Sequence, residues 1–271
     1  MDLKTLKDMP FWEWPDNAAK AILDMLRNGK AAETERLLAA GLAGELMIMH
    51  DGTASALLAV ARDPKETEDL RIAAMMSLGP VLEYTDTVED DEPEDMLISR
   101  KTFGKIQKSL HELYLEGGAS EDLRRKALET SACAPQDWHE SAVRTAYGGD
   151  RLWTITAVFC MQYVSGFEKE ILEALDSSDE DVHYWAVCAA GNWELDAAWD
   201  HIAGIVTAEE PEKELLLAAI ESAGVIRPHL AHDLLGPLQE SEDEDIATTV
   251  EETLIMADEL TTAVEDEDAP F

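Results

Sequence analysis

The chain has 271 residues, of which 46% are apolar, so it carries enough apolar material to bury a core. Its 21 basic and 58 acidic side chains give a formal net charge of −37 at pH 7. This field repels nucleic-acid phosphates and anionic lipid headgroups within a Debye length of about 8 Å, so we expect no nucleic acid and no membrane as partner. A basic partner, a divalent cation or a high-salt habitat would fit the charge.

The number and spacing of the cysteines indicate the cellular compartment of the protein. Cys133, Cys160 and Cys188 are odd in number and far apart, which favours a reducing compartment over a disulfide framework. The sequence shows no signal peptide and no run approaching the roughly 18 apolar residues of a membrane span. We therefore expect a cytoplasmic location. Each cysteine stands among apolar residues, where it is expected to pack as a small hydrophobic side chain.

The predicted elements begin with three aromatic residues, Phe11, Trp12 and Trp14, which are expected to cover the end of a first helical repeat. A motif then recurs along the chain. It has an acidic or Ser-rich start, an aliphatic anchor residue, small residues three or four positions later, and a small residue or glycine about nine positions later. Its copies lie near Arg36, where the aliphatic residue is missing, and at Leu70, Leu123, Leu152, Val182, Leu215 and Ile246.

The spacing of the anchors predicts helical hairpins. From Leu123 onward they are 29, 30, 33 and 31 residues apart, the length of two three-turn helices with their turns. Apolar residues at helical spacing fill the intervals. The interval from Leu70 to Leu123 is 53 residues, and we assign the excess to an acidic loop at 86–95. The sequence thus predicts an all-α superhelix, a solenoid of about seven hairpins, in a single domain over 1–271 with an acidic tail at 262–271.

These repeats resemble those of the HEAT-like superfamily, in particular the short-repeat type of the phycobilisome lyases. The resemblance is carried by Asp69–Gly79, Asp122–Ala127 and Asp181–Gly191, and it covers roughly residues 34–260. It implies a HEAT-like, armadillo-like α solenoid. Scaffolds, adaptors and some enzymes share that fold, so the resemblance alone implies no activity.

Histidines supply the enzymatic alternative. The HEAT-like deoxyhypusine hydroxylases hold a di-iron site with four His-Glu pairs, whereas this chain has two such doublets, His111-Glu112 and His139-Glu140. His229 and His232 lie three residues apart and would supply half of a metal site. We expect no cofactor, no metal and no catalytic residue. The alternative function is a metal-dependent or chromophore-modifying, lyase-like enzyme.

Basic and aromatic residues gather at the start of the second helices, whose exposed side lines the concave face of such solenoids. Arg, Trp and Tyr are also the residue types that most often anchor interfaces. We therefore predict a non-enzymatic scaffold or adaptor that binds a protein or peptide, of acidic or mixed charge, on the concave face. Alternatively, the aromatics pack between hairpins and the arginines pair with Asp122 and Asp150. The predicted contact residues are Arg71, Arg124, Arg125, Trp153, His183, Tyr184 and Trp185.

Overall fold

The computed structural model of the chain describes residues 2–88 and 96–267. These residues form helices and turns, and no β-strand occurs among them. The helices are α1 (Leu3–Lys7), α2 (Ala18–Arg27), α3 (Glu33–Leu42), α4 (Asp51–Arg62), α5 (Glu68–Met76), α6 (Gly79–Thr87), α7 (Arg100–Tyr114), α8 (Glu121–Ala132), α9 (Trp138–Tyr147), α10 (Arg151–Cys160), α11 (Glu168–Ala174), α12 (Glu180–Asn192), α13 (Trp199–Val206), α14 (Lys213–Ile226), α15 (Pro228–Leu235) and α16 (Glu244–Glu267).

In the part of the chain that the structure describes, consecutive helices form seven hairpins, which confirms the prediction of an all-α solenoid of about seven repeats. The first and second helices of the hairpins are α2 and α3, α4 and α5, α7 and α8, α9 and α10, α11 and α12, α13 and α14, and α15 and α16. Within the two described ranges, none of the helices combines the length and the apolar character needed to cross a membrane.

Polar side chains fix the starts of the second helices. Thr67, Ser120, Asp150 and Asp179 are the N-cap residues of α5, α8, α10 and α12, and each accepts a hydrogen bond from a backbone N–H of the first turn. A helix leaves its first N–H groups without an internal acceptor, so these side chains stabilise the helix at that residue. They also set a common register, from which equivalent positions in the repeats can be counted.

Small residues let the second helices pack closely. Ala74, Ala127, Ala186 and Ala219 each lie four residues after the anchor of their helix, and each is 0% exposed. At Gly191 a Cβ atom would lie 2.5 Å from the hydroxyl oxygen of Ser222 on the next second helix. Such close approach buries a continuous apolar core between neighbouring repeats, as stacked hairpins require.

The chain divides into two compact units. Unit 1 comprises residues Met1–His139 and unit 2 comprises residues Glu140–Phe271. In unit 1 the second helices α3, α5 and α8 pack on one another in chain order. In unit 2 the second helices α10, α12, α14 and α16 do the same.

The structure corrects the anchor of α10. Counted from the N-cap Asp150, Trp153 occupies the position that Leu123 occupies after Ser120. Leu152, which the repeat pattern selects, is 48% exposed. A shift of one residue turns a helical side chain by about 100°, so Leu152 faces solvent while Trp153 is half-buried.

The acidic insertion also differs from the expectation. Helix α6 accounts for the first part of the long interval, and Asp86 lies within it. Val81, Leu82 and Thr85 are buried at helical spacing, which explains why this segment folds as a helix. The expected loop positions 89–95 lie outside the described residues, as do positions 268–271 of the expected tail; residues 262–267 belong to α16.

Candidate functional site

In unit 1, three arginines stand at the same position, four residues after the N-cap of a second helix. Each donates from its Nε to a backbone carbonyl in the last turns of the preceding first helix: Arg36 to Leu26 at 3.2 Å, Arg71 to Ala61 at 2.9 Å and Arg124 to Tyr114 at 2.9 Å. The last carbonyls of a helix lack internal donors, and a cation there suits the helix dipole. Arg71 and Arg124, two of the predicted contact residues, thus hold their own hairpins together.

Arg125 lies inside unit 1. It is 7% exposed and forms an ion pair with Asp122, one turn earlier on α8. The guanidinium of Arg125 is therefore outside the surface that a partner could contact. This placement corresponds to the alternative in which an arginine pairs with Asp122.

Unit 2 carries different residues at the position of the three arginines, namely Thr154, His183 and Leu216. The Nε2 atom of His183 lies 2.8 Å from that of His201 on α13. Burial, followed by the proximity of His201, lowers the pKa of His183. His183 thus packs against a neighbouring helix.

Ion pairs in unit 2 connect one repeat with the next. Arg151 pairs with Asp179 and Asp181, while Lys213 pairs with Asp243 at 2.8 Å and Asp245 at 2.6 Å. In both cases a basic residue at the start of one second helix reaches the acidic start of the following one. Arg36 of unit 1 makes a similar pair with Glu66, at 2.5 Å.

Two of the predicted aromatic residues, Tyr184 and Trp185, form a cluster with Phe159 on the exposed side of α10 and α12. The Trp185 ring meets Phe159 edge to face at 4.8 Å, and Tyr184 meets Trp185 at 4.8 Å. All three rings are half-buried, so one side of the cluster faces solvent. Trp153 is also half-buried and packs on the Gly149 turn. Aromatic rings with one solvent-exposed side are common anchors at protein interfaces.

A cavity of about 410 Å³ lies beside this cluster, between α12, α14 and α16. Ser222 and Thr253 form its buried floor. Glu221 and Glu252 are exposed at its rim. Its other polar and sulfur-containing lining residues are Gln162, Cys188, Asn192, Thr249 and Met256.

Tyr184 and Cys188 connect the cluster to the cavity. Burial raises the pKa of the Cys188 thiol to about 11 and the pKa of the Tyr184 phenol to about 12. Both groups are therefore protonated at pH 7, and a protonated thiol is a poor nucleophile. Partial desolvation at the cavity rim, and secondarily the charge of Glu252, raises the pKa of Glu221.

The cavity residues occupy a register that the sequence prediction did not select. Cys188, Glu221 and Glu252 each lie six residues after the anchor of their helix. Trp153 stands at the anchor position itself, and the other predicted residues lie one to three positions after it. The signal was present in the sequence as a polar residue at the sixth position of three successive repeats. Finding it required the helical phase: the sixth residue after an anchor lies about 140° around the helix from the first residue after it and about 40° from the second.

The histidines considered for metal binding are placed apart from the cavity. His139 is 0% exposed, with its Nδ1 atom 2.8 Å from the Gln136 N–H and its Nε2 atom 3.0 Å from the Ser131 hydroxyl. Burial lowers the pKa of His139 to about 4. The ring of His111 stacks on Trp138 at 4.2 Å. His232 bonds Asp258 at 2.9 Å.

Among solved structures, the chain is similar to a chain in the complex of CpcE and CpcF of phycocyanin lyase from Nostoc sp. PCC7120. The identity is 14%, the TM-score is 0.56, and the match covers 92% of this chain and 98% of that one. This chain has the HEAT-like repeat fold. The likeness at this identity shows the fold alone.

Two further matches have lower scores. An archaeal HEAT-like repeats protein from Thermococcus onnurineus NA1 has a TM-score of 0.37 at 14% identity, with 89% of this chain and 97% of that one covered. Human deoxyhypusine hydroxylase has a TM-score of 0.40 at 12% identity, with 89% and 96% covered. No protein-family model matches the sequence, and no curated protein matches it.

Proposed function

We propose that this HEAT-like chain is a non-enzymatic interaction module that binds a basic segment of a partner protein on the exposed face of the second helices of unit 2. The observation that carries the proposal is the cavity beside the aromatic cluster of Phe159, Tyr184 and Trp185. Half-buried rings next to a polar recess provide both the apolar anchors and the directional contacts of a peptide-binding surface.

The charge of the surface decides the chemistry of the partner. Glu221 and Glu252 are the acidic residues that line the cavity, and its lining includes no basic residue. The basic residues Arg151 and Lys213 of this unit are paired with aspartates at the helix starts. The net charge of −37 adds a long-range field that attracts a basic segment and speeds its encounter. A basic partner therefore fits this face better than an acidic one.

The protonation states of the site favour binding over catalysis. Cys188, whose pKa is about 11, and Tyr184, whose pKa is about 12, hold their protons at neutral pH. Nucleophilic catalysis needs a thiolate or an adjacent base that creates one. Hydrogen bonding and aromatic packing, in contrast, require no change of protonation.

The test is a selection of random displayed peptides on the full-length protein. We expect the recovered peptides to be rich in basic residues, to bind more weakly as salt increases, and to lose binding to the Tyr184→Ala/Trp185→Ala variant. Trp12→Ala in unit 1 is the matched control, because Trp12 is 68% exposed and outside this face. Circular dichroism confirms that each variant is folded. Recovery of acidic peptides, or equal binding to the folded double variant, would contradict the proposal.

A further inference from the structure

Equivalent carboxylates in the two units have different surroundings. Glu129 of unit 1 lies six residues after the anchor of α8, as Glu221 and Glu252 do in α14 and α16. Glu129 is 6% exposed, and its carboxylate lies 2.5 Å from the ammonium of Lys126, three residues earlier. Unit 1 thus supplies its own cation to this position.

At the equivalent positions of α14 and α16, unit 2 has no basic side chain. The residues three positions before Glu221 and Glu252 are Ala218 and Thr249. Among the described residues, neither glutamate has a hydrogen-bonded or ion-paired partner. Two carboxylates at the rim of one cavity repel each other, and the raised pKa of Glu221 reflects partial desolvation and that repulsion. A cation from outside the chain would relieve it.

The floor of the cavity adds a second, independent feature. Thr253 is 3% exposed and lines the cavity. Its hydroxyl makes no hydrogen bond with another residue in the described part of the chain, while its methyl group faces Gly224. The oxygen of this hydroxyl is not a buried unpaired atom, because among the described residues Thr85 Oγ1 alone is in that state. The Thr253 hydroxyl therefore keeps contact with solvent, and a polar ligand that enters between the two glutamates can reach it.

We propose that this cavity receives the guanidinium group of one arginine side chain from the basic partner segment. The inference rests on the proposed function and names its specificity pocket. The guanidinium takes the place that the ammonium of Lys126 takes beside Glu129. Glu221 and Glu252 hold it from the rim, and the Thr253 hydroxyl accepts a hydrogen bond at the floor.

Arginine fits the lining better than lysine or a metal ion. A guanidinium presents five N–H donors in a fixed plane, and the cavity offers two carboxylates, the amide oxygens of Gln162 and Asn192, and hydroxyl groups as acceptors. An ammonium group has three donors on a compact head and leaves more of these acceptors unfilled. Among the described residues, no group of three or more metal-ligating side chains is placed to hold a metal.

The experiment is a chemical-shift titration of the full-length protein with N-acetyl-arginine N-methylamide, observed at the side-chain amides of Gln162 and Asn192. The citrulline analogue is a neutral probe of the same shape. The lysine analogue carries the same charge on an ammonium group and tests whether the planar guanidinium is needed. We expect saturable shifts with arginine, weaker binding of lysine and none of citrulline. The Glu221→Gln/Glu252→Gln variant should raise the Kd about tenfold.

Two further variants sharpen the test. Glu251→Gln removes a neighbouring exposed charge outside the cavity and should leave the Kd unchanged. Thr249→Lys places an ammonium three residues before Glu252, as Lys126 stands before Glu129, and should abolish arginine binding. The pocket proposal would be overturned if citrulline bound as tightly as arginine, if lysine bound more tightly than arginine, or if the double glutamine variant left the Kd for arginine unchanged.

The outcome separates the pocket from the wider function. If the selected basic peptides lose binding to Tyr184→Ala/Trp185→Ala but bind Glu221→Gln/Glu252→Gln as tightly as the wild type, the pocket is refuted and the interaction face stands. If the arginine derivative binds in the cavity but no displayed peptide is recovered, the pocket stands and the proposed peptide-binding function fails.

Discussion

Helix α8 of unit 1 and helices α14 and α16 of unit 2 carry a glutamate at the same repeat position, yet the glutamates do different things. Glu129 is buried beside Lys126, whereas Glu221 and Glu252 stand open at the rim of a cavity. The residue three positions earlier is Lys126 in α8, but Ala218 in α14 and Thr249 in α16. In the proposed pocket, the ligand provides the cation that Lys126 provides in unit 1.

The largest expected effect is on the ion pair of unit 1. Lys126→Met keeps the apolar stem but removes the ammonium beside the buried carboxylate of Glu129, and we expect unfolding to become easier by about 3 kcal/mol. Urea unfolding followed by circular dichroism measures it. Lys108→Met is the control, because the Lys108–Glu112 pair is exposed and spans 3.9 Å. Equal losses in the two variants would show that Glu129 needs no internal cation.

A second prediction compares the packing of the two units at the ninth residue after an anchor. In unit 2, Gly191→Ala would place its Cβ 2.5 Å from the Ser222 hydroxyl, and we expect a loss of about 2 kcal/mol from overpacking. In unit 1, the equivalent Gly79→Ala places its Cβ 3.4 Å from the Cys133 sulfur, an ordinary contact.

Thermal melts of both glycine variants make the comparison. We expect a clear drop in the melting temperature for Gly191→Ala and little change for Gly79→Ala. If the melting temperature of Gly191→Ala equals that of the wild type, α12 and α14 can move apart without loss of stability. This contact would then not fix the cavity floor.

The smallest expected effect concerns the charge of Glu221. Its pKa is raised in the folded protein above the ordinary value of 4.5, so the folded state loses stability as pH rises through that raised pKa. Glu221→Gln should therefore increase the melting temperature at pH 7. Below pH 4.5 the carboxyl is protonated in both states and the variant should match the wild type.

Glu251→Gln separates a local effect from a general one in the same melts. A gain at pH 7 as large as that of Glu221→Gln would show that the relief comes from the net charge of the chain. A gain confined to Glu221→Gln would locate the repulsion in the cavity, where Glu252 is the neighbouring charge.

Repeat spacing and local propensity made the helices predictable. The N-cap residues Ser120, Asp150 and Asp179 and the buried alanines are visible in the sequence because capping and close packing each need particular residue types. Helix α6 was missed, because the strong acidic character of the following residues obscured the helical spacing of Val81, Leu82 and Thr85.

The candidate site was predicted less completely. Tyr184 and Trp185 lie in the aromatic cluster beside the cavity, and their binding role stays a prediction together with that of Trp153. Arg71 and Arg124 were selected as contact residues, although their Nε groups bond carbonyls of their own hairpins. The sequence shows a basic residue at such a position but not the carbonyl that lies ten residues earlier and close in space.

By itself, the sequence determined the helical class, the repeat length of about thirty residues and the acidic field, because each follows from periodicity or composition along the chain. Only the tertiary structure decided which charges are paired and which stay open. Lys126 pairs with Glu129 and Arg151 pairs with Asp179, whereas Glu221 has no paired partner within residues 2–88 and 96–267. The difference lies in which side chains the neighbouring turns and repeats bring within a few ångströms. Charge pairing depends on that distance, and a linear sequence does not contain it.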